Sequence, residues 1–191
     1  RTQMIKIGIT GSLASGKTTV SKILSSRKGP LFSADAVVKK LYSKKNFKNL
    51  ISNKFKIKNS SNIKKILKEK ILKNKSNIVK LEKVIHPLVR KEMKSFIKKN
   101  SKRKFIFLEI PLLIESRLMR FFDVIIFVKA KKNLRFKRFQ QKGGNKKLFN
   151  ILNNKQMSDV KKIKFCDHII VNEKNIKILK SNLSSILENY E

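Results

Sequence analysis

Cysteine, acidic residues and long apolar runs are all scarce in this sequence of 191 residues. The single cysteine, Cys166, excludes an intrachain disulfide and a cysteine-based zinc site. No run reaches the about 18–20 apolar residues of a membrane-spanning helix, so we expect no membrane association. The first apolar stretch begins at Met4 and reads as a strand, so we expect no signal peptide. These absences predict a cytoplasmic protein.

The shortage of acids gives the chain an extreme charge, because 12 Asp and Glu accompany 48 Lys and Arg, for a formal net charge of +36. Such a charge is typical of nucleic-acid-binding proteins. However, only 8 of the basic residues are Arg, and the 40 Lys are spread over the whole chain, whereas a phosphate-reading surface favours the bidentate fork of Arg. Lys, Asn, Ile and Phe, all abundant here, have AT-rich codons. We therefore attribute the charge to codon bias and expect no specific nucleic-acid partner, although the charge still attracts anionic substrates.

Residues 11–18 form the most informative motif, with the sequence Gly-Ser-Leu-Ala-Ser-Gly-Lys-Thr. They fit the phosphate-loop pattern of Gly, four residues, and Gly-Lys-Ser/Thr. A strand-like apolar run precedes the motif and a helical pattern follows it, as the pattern requires. The loop N–H groups and Lys17 can bind nucleotide phosphates, and the Thr18 hydroxyl can hold Mg²⁺. The predicted nucleotide-binding residues are Gly11, Ser12, Leu13, Ala14, Ser15, Gly16, Lys17, Thr18 and Thr19.

Five short apolar runs, separated by helical patterns, predict the fold class. The runs lie at residues 4–10, 31–33, 105–108, 123–128 and 168–171. Strands that alternate with helices predict an α/β fold, with a five-stranded parallel sheet covered by helices on both faces.

Two of the scarce acidic residues follow predicted strands: Asp35 follows the second and Glu109 the third. Functional residues collect at the carboxyl ends of parallel strands. Asp35 can therefore accept the proton of an attacking hydroxyl or orient it, and Glu109 can bind Mg²⁺ or its waters. The alternative for Asp35 is an N-cap of the next helix, and the residues alone leave both open.

Two helical stretches are inserted between the strands. In the first, over residues 36–100, we expect Pro87 to interrupt the helix that contains His86; His86 then has either a structural or a binding role. The second is a helix–Gly-Gly–helix unit that makes residues 138–160 a candidate lid. Its Arg138 can neutralise charge on a transferring phosphoryl group or can lie on a solvated face.

Taken in order, these segments resemble the dephospho-coenzyme A kinase family nearly end to end. Ser33-Ala-Asp35 resembles the family's Asp-Ala-Asp step, and His86-Pro-Leu-Val-Arg90 resembles its His-Pro segment. Glu109-Ile-Pro-Leu-Leu-Ile-Glu115 resembles Asp-x-Pro-Leu-Leu-Phe-Glu. The family's lid end and last strand are matched by Gln156-Met157, Lys162 and Cys166-Asp-His-Ile-Ile-Val-Asn172.

The resemblance implies a P-loop kinase that uses ATP and Mg²⁺ to phosphorylate the ribose 3′-hydroxyl of dephospho-coenzyme A, as a monomer or weak homo-oligomer. Residues 1–35, 101–137 and 161–191 would form the nucleotide-binding core, residues 36–100 the acceptor-binding region and residues 138–160 the lid. The implied catalytic residues are Asp35, Lys17 and Arg138. The implied metal ligands are Thr18 and Glu109, and Asn172 is implied near the adenine. The implied substrate-binding residues are Asp35, Lys39, His86, Arg90, Leu112 and Glu115.

Four positions depart from the family pattern. Ser33 replaces the first Asp, Lys39 stands where Arg is usual, Glu109 replaces Asp, and Leu152 occupies the place of a lid Arg. Lys39 keeps the charge but loses the bidentate geometry; Arg138 and nearby lysines must then cover the phosphates. Two other functions stay open: a nucleoside or nucleotide kinase of the same fold, and a basic nucleic-acid-binding ATPase.

Overall fold

A computed structural model describes residues 3–26, 28–58 and 61–191. Its strands are β1 (Ile5–Gly11), β2 (Leu31–Ser33), β3 (Phe105–Glu109), β4 (Val124–Lys129) and β5 (His168–Val171). The helices before β3 are α1 (Lys17–Ser25), α2 (Ala34–Leu41), α3 (Lys45–Phe55), α4 (Ile63–Lys73) and α5 (Ser76–Lys99). Those after β3 are a 3-10 helix (Met119–Phe121), α6 (Lys132–Gln141), α7 (Lys146–Lys155), α8 (Asp159–Ile163) and α9 (Ile176–Glu188).

The strands form one parallel sheet in the order β2-β3-β1-β4-β5, which confirms the predicted fold class. The register pairs Glu109 at the end of β3 with both Ile9 and Ser33, so the carboxyl ends of β1, β2 and β3 lie at one edge. The three central strands are almost wholly buried. This burial explains why they read as continuous apolar runs in the sequence.

The chain divides into two compact units. The first unit contains the sheet and consists of the residues up to Ser33 together with Ile97–Glu191. In its core, α1 and α9 pack their apolar stripes on the strands, through Val20 and Leu24 of α1 and through Leu179, Leu183 and Leu187 of α9. The spacing of these leucines, one every four residues, places them on one face of α9.

The second unit, Ala34–Phe96, is helical and has its own core. Seven buried apolar residues of α2, α3 and α4 and the adjoining segments form this core: Leu41, Phe47, Ile51, Phe55, Ile57, Ile63 and Leu67. Leu81, Val84, Ile85 and Leu88 of α5 pack against them. A separate core gives this unit, which follows β2 and precedes β3 in the sequence, a structure of its own.

The prediction that Pro87 interrupts its helix is wrong, because α5 runs through Pro87 from Ser76 to Lys99. Proline removes one backbone hydrogen bond and disturbs the preceding turn. The apolar residues on both sides of it keep helical spacing, however, from Leu81 to Leu88, and pack on the same core. Tertiary packing therefore offsets the local cost of the proline.

We expect Pro87→Ala to raise the free energy of unfolding by about 1–3 kcal/mol, because alanine restores the missing N–H donor and costs less than proline in a helix interior. Urea denaturation followed by circular dichroism measures this change. Ser95→Ala in the same helix is the control, with an expected gain of no more than about 0.5 kcal/mol. An unchanged or lower midpoint for Pro87→Ala would show that α5 requires the proline.

Within the described residues, no helix is both long enough and apolar enough to cross a membrane.

Candidate active site

The phosphate loop connects the carboxyl end of β1 to α1 and depends on two glycines. Gly16, at φ +93°, has the left-handed conformation that glycine favours, and a Cβ there would lie 2.1 Å from Nδ2 of Asn172. At Gly11 a Cβ would lie 2.4 Å from the carbonyl oxygen of Val128. Neither position accepts a side chain without displacing a neighbour. The motif therefore has glycine at the two positions where the loop backbone lies too close to a neighbouring residue for a side chain to fit.

The start of α1 is suited to an anion. Gly16 provides no side-chain cap, and the first turn, which includes the exposed Thr19, contains no acidic residue. The first N–H groups of the helix are therefore left for a ligand, at the positive end of the helix dipole. Lys17 adds a full charge at the same place: its side chain is only 8% exposed, and its Nζ donates to the carbonyl oxygen of Ser12 at 2.9 Å. This combination can bind the phosphates of a nucleotide.

Thr18 and Glu109 form a pair of oxygen donors beside the loop. The Thr18 hydroxyl donates to Oε1 of Glu109 at 2.9 Å, and Glu109 is 1% exposed at the end of β3. Mg²⁺ prefers oxygen ligands, and two neighbouring ligands of an octahedral Mg²⁺ with bonds of about 2.0–2.1 Å lie about 2.9 Å apart. The chemistry and the spacing of this pair therefore fit Mg²⁺.

Arg138 and Asn172 fasten the loop from the side of β5. Arg138 donates through Nη1 to the Ser15 carbonyl at 3.2 Å and through Nη2 to the Asn172 carbonyl at 2.8 Å. Asn172 donates through Nδ2 to the same Ser15 carbonyl at 3.0 Å. Both residues thus lie at the phosphate loop. Their predicted roles, on the phosphates for Arg138 and near the adenine for Asn172, stay predictions.

Arg135 is a loop contact that the sequence did not reveal. Its guanidinium is 6% exposed and donates from Nη1 to the Leu13 carbonyl at 3.0 Å and to the Asn153 side chain at 2.8 Å. Burial lowers the pKa of Arg135, and the neighbouring carboxylate of Asp159 opposes this shift. One turn before Arg138 on α6, Arg135 therefore connects the loop to α7.

A cavity of about 430 Å³ adjoins these contacts, and it is lined by Ser12, Arg135, Asn153, Asn154, Gln156, Met157, Ser158 and Asp159. All but one of these residues are polar. Asp159 accepts a hydrogen bond from the Ser12 hydroxyl. The phosphate loop and the segment before α8 thus share a polar cavity.

Glu115, predicted to bind substrate, has partners within the protein. Its Oε2 lies 2.8 Å from Nζ of Lys162, which is completely buried, and accepts from the Met157 N–H at 3.3 Å. Leu112, predicted with it, lies half-buried in the same loop after β3. Lys162 is part of the family resemblance, but no role could be predicted for it because its partner, Glu115, lies in a distant segment of the chain.

The single cysteine is not a nucleophile in this site. Burial and the nearby Asp167 raise the pKa of Cys166 to about 11, against a smaller opposing effect of Lys162. The thiol is therefore protonated at neutral pH, whereas the thiolate is the reactive form.

The helical unit carries the other predicted substrate residues. Asp35 and Lys39 are exposed one turn apart on α2. His86, half-buried, and Arg90, exposed, lie one turn apart on α5. Each pair shares a face of its helix, so each helix offers a cation beside a second polar group.

Comparisons with known proteins identify the family. The family model described as dephospho-CoA kinase matches residues 5–177. A dephospho-CoA kinase of Bartonella quintana is 35% identical over 188 residues, covering 96% of each chain. A crystal structure of a Thermus thermophilus protein superposes with a TM-score of 0.79 at 24% identity, covering 99% of both chains. The dephospho-CoA kinase of Campylobacter jejuni superposes with a TM-score of 0.63 at 22% identity, covering 97% of both chains. These matches confirm the resemblance found in the sequence, and the chain belongs to the dephospho-CoA kinase family of phosphotransferases.

Proposed function

We propose that this chain transfers the γ-phosphoryl group of ATP to the ribose 3′-hydroxyl of dephospho-coenzyme A, which gives coenzyme A and ADP in the cytoplasm. Membership of the kinase family supports the use of ATP. The observation that carries the proposal is the hydrogen bond between Thr18 and Glu109 beside the phosphate loop. It supports the proposal because two oxygens of the kind that Mg²⁺ prefers lie together beside the phosphate loop.

The phosphate groups are bound by the loop and its neighbours. The N–H groups at the start of α1 and the ammonium of Lys17 hold the β- and γ-phosphates. Arg138, already directed at the Ser15 carbonyl, is near enough to the loop to take up a phosphate oxygen when the nucleotide is bound. Positive charge fixed in advance around the γ-phosphoryl group stabilises the charge that moves to the leaving ADP.

Thr18 and Glu109 would hold Mg²⁺. A Mg²⁺ ion held by these two residues would supply positive charge that offsets the negative charge developing on the phosphate oxygens. Glu109 is one methylene longer than the Asp of the family pattern, and its hydrogen bond to Thr18 fixes where that longer carboxylate ends.

The acceptor reacts by in-line displacement. Its 3′-oxygen attacks the γ-phosphorus, the bond from that phosphorus to the β–γ bridging oxygen breaks, and ADP leaves with the bonding electrons. Asp35 orients the hydroxyl and takes its proton. Lys39, Arg90 and His86 bind the acceptor, and the charges of Lys39 and Arg90 attract its anionic pyrophosphate.

An acceptor panel tests this function against its alternatives. Purified protein with Mg-ATP is incubated with dephospho-coenzyme A, adenosine, AMP, single-stranded DNA or RNA, and ADP release is measured. We expect release above background with dephospho-coenzyme A alone. Release stimulated by a nucleoside or nucleotide would indicate a different small-molecule kinase. Release stimulated by DNA or RNA, without dependence on dephospho-coenzyme A, would indicate a nucleic-acid-binding ATPase.

Glu109→Gln is expected to raise the Mg²⁺ concentration for half-maximal activity by about tenfold or more, because a neutral amide oxygen binds a divalent cation more weakly than a carboxylate does. A Mg²⁺ titration at constant free ATP measures this shift. Asp123→Asn is the control, since Asp123 pairs with Lys6 at the start of the strands. An unchanged titration for Glu109→Gln would remove Glu109 from the metal site.

A further inference from the structure

The short helix α8 is attached to two different parts of the first unit. Its first residue, Asp159, and Lys162 are separated by one helical turn. Lys162 pairs with Glu115 on the loop after β3, at 2.8 Å. Asp159 accepts from Ser12 of the phosphate loop. The helix therefore links Glu115 to the phosphate loop.

Several polar contacts attach α8 and the residues before it to Glu115. Lys162 Nζ lies 3.3 Å from the Gln156 side chain as well as 2.8 Å from Glu115, and the Met157 N–H donates to the same Glu115 oxygen at 3.3 Å. Two positions just before and within α8, Met157 and Lys162, thus converge on one carboxylate, and the Gln156 side chain accepts from the ammonium of Lys162. The other end of the Glu115 loop is held by the Thr10 hydroxyl, which donates to the Pro111 carbonyl at 3.0 Å.

A buried ion pair of this kind is a poor source of stability. Removing two charges from water costs about as much as their attraction returns, and apolar replacements of similar size are often no less stable. A buried pair with directional hydrogen bonds does, however, fix the position of what it joins. Here it fixes α8, whose Lys162 has no exposed surface.

The contact between Asp159 and Ser12 connects α8 to Lys17. Ser12, which donates to Asp159, also presents its carbonyl oxygen to Nζ of Lys17 at 2.9 Å. Arg135, beside Asp159, donates to the carbonyl of Leu13. Displacement of α8 would therefore release the side of the loop that positions Lys17.

We propose that Glu115 is a positioning residue of the phosphate loop: through Lys162 it holds α8 where Asp159 binds Ser12, and so sets the position of Lys17. This inference rests on the proposed function, because it assumes that the phosphate loop binds a nucleotide. The contacts involved concern nucleotide binding alone, so the inference can be tested without the acceptor.

A double-mutant cycle between Glu115 and Asp159 tests the link. The Kd of Mg-ADP is measured by calorimetry for wild type, Glu115→Gln, Asp159→Ala and the double variant. We expect Asp159→Ala to raise the Kd by about fivefold or more when Glu115 is present, and by less than about twofold when Glu115 is already replaced. Glu115→Gln alone should shift the Kd by a similar factor.

The matched control is Asp123→Asn. Like Glu115, Asp123 accepts from a lysine ammonium and a backbone N–H, both of Lys6, at 2.9 and 2.7 Å, but it lies at the amino ends of the strands. In this background the Asp159→Ala effect should persist in full. If Glu115→Gln fails to fold, Glu115→Asp replaces it in the cycle, since it keeps the charge and retracts the carboxylate by one methylene.

An equal Asp159→Ala effect in both Glu115 backgrounds would overturn the proposal, even if Glu115→Gln lowered the melting temperature, because a purely structural role leaves the two effects independent. An unchanged Kd for Glu115→Gln would overturn it as well. Since ADP binding is measured without an acceptor, a protein that fails to phosphorylate dephospho-coenzyme A would leave this test intact.

Discussion

Lys17→Met is expected to lower kcat by about 100- to 1,000-fold, the usual consequence of removing one fixed charge that stabilises a transition state. Lys17 is buried against the phosphate loop, with Nζ at 2.9 Å from the Ser12 carbonyl, so solvent cannot replace its charge. Methionine has nearly the same length and keeps the apolar contacts of the side chain. Steady-state kinetics with Mg-ATP and dephospho-coenzyme A measure the loss.

Lys22→Met is the control for this prediction. It makes the same substitution in the same helix, at an exposed position in the last turn of α1, and kcat should stay within about twofold of wild type because exposed charges contribute little at moderate salt. If Lys17→Met retained kcat within tenfold, a loss of only about 1.4 kcal/mol, the loop would not bind the transferred phosphoryl group as proposed.

Asp35→Asn is expected to lower kcat by at least about 100-fold, because a general base contributes this much or more, and asparagine cannot accept the proton. Asp35 is exposed near the start of α2 and makes no hydrogen bond or ion pair with the residues that the structure describes. The substitution keeps the shape of the side chain, so the melting temperature and the Kd of Mg-ADP should not change. These two measurements separate a chemical role from a role in stabilising α2.

The structure contradicts the N-cap alternative, because Asp35 is the second residue of α2 and accepts no hydrogen bond from the described residues. Its remaining structural role is the interaction of its negative charge with the helix dipole, whose loss costs about 0.3–1 kcal/mol and leaves the chemical step unaffected. A lower melting temperature with kcat within tenfold of wild type would therefore assign Asp35 to the helix and remove it from the reaction.

Local patterns were sufficient to predict the sheet and the phosphate loop. Buried parallel strands show as apolar runs, and the loop needs glycine at positions where a Cβ would collide with Val128 or Asn172. The stop after α6 is equally local: Gly143, at φ +83°, donates to the Gln140 carbonyl at 2.9 Å and ends the helix. Each of these features depends on residues that are close along the chain.

Features that depend on long-range packing could not be predicted in the same way. The continuity of α5 through Pro87 depends on a core built from three other helices. Arg135 meets the Leu13 carbonyl across 122 residues of chain, and nothing in its helix distinguishes it from Arg138. The family resemblance implied that Glu115 binds substrate, and this stays a prediction. The partners that the structure shows are Met157, which lies 42 residues further along the chain, and Lys162 beyond it, and a local pattern could not predict contacts over that distance.

The position of the new phosphoryl group tests the proposed function most directly. The product formed from Mg-ATP and dephospho-coenzyme A is isolated, its molecular mass is measured by mass spectrometry, and the site of phosphorylation is determined by phosphorus–proton NMR. The proposed function predicts a product heavier by one phosphoryl group, with the new phosphorus coupled to the proton at C3′ of the ribose and an equal amount of ADP released. An unmodified acceptor in the presence of bound ATP, or a phosphoryl group on another oxygen, would contradict it.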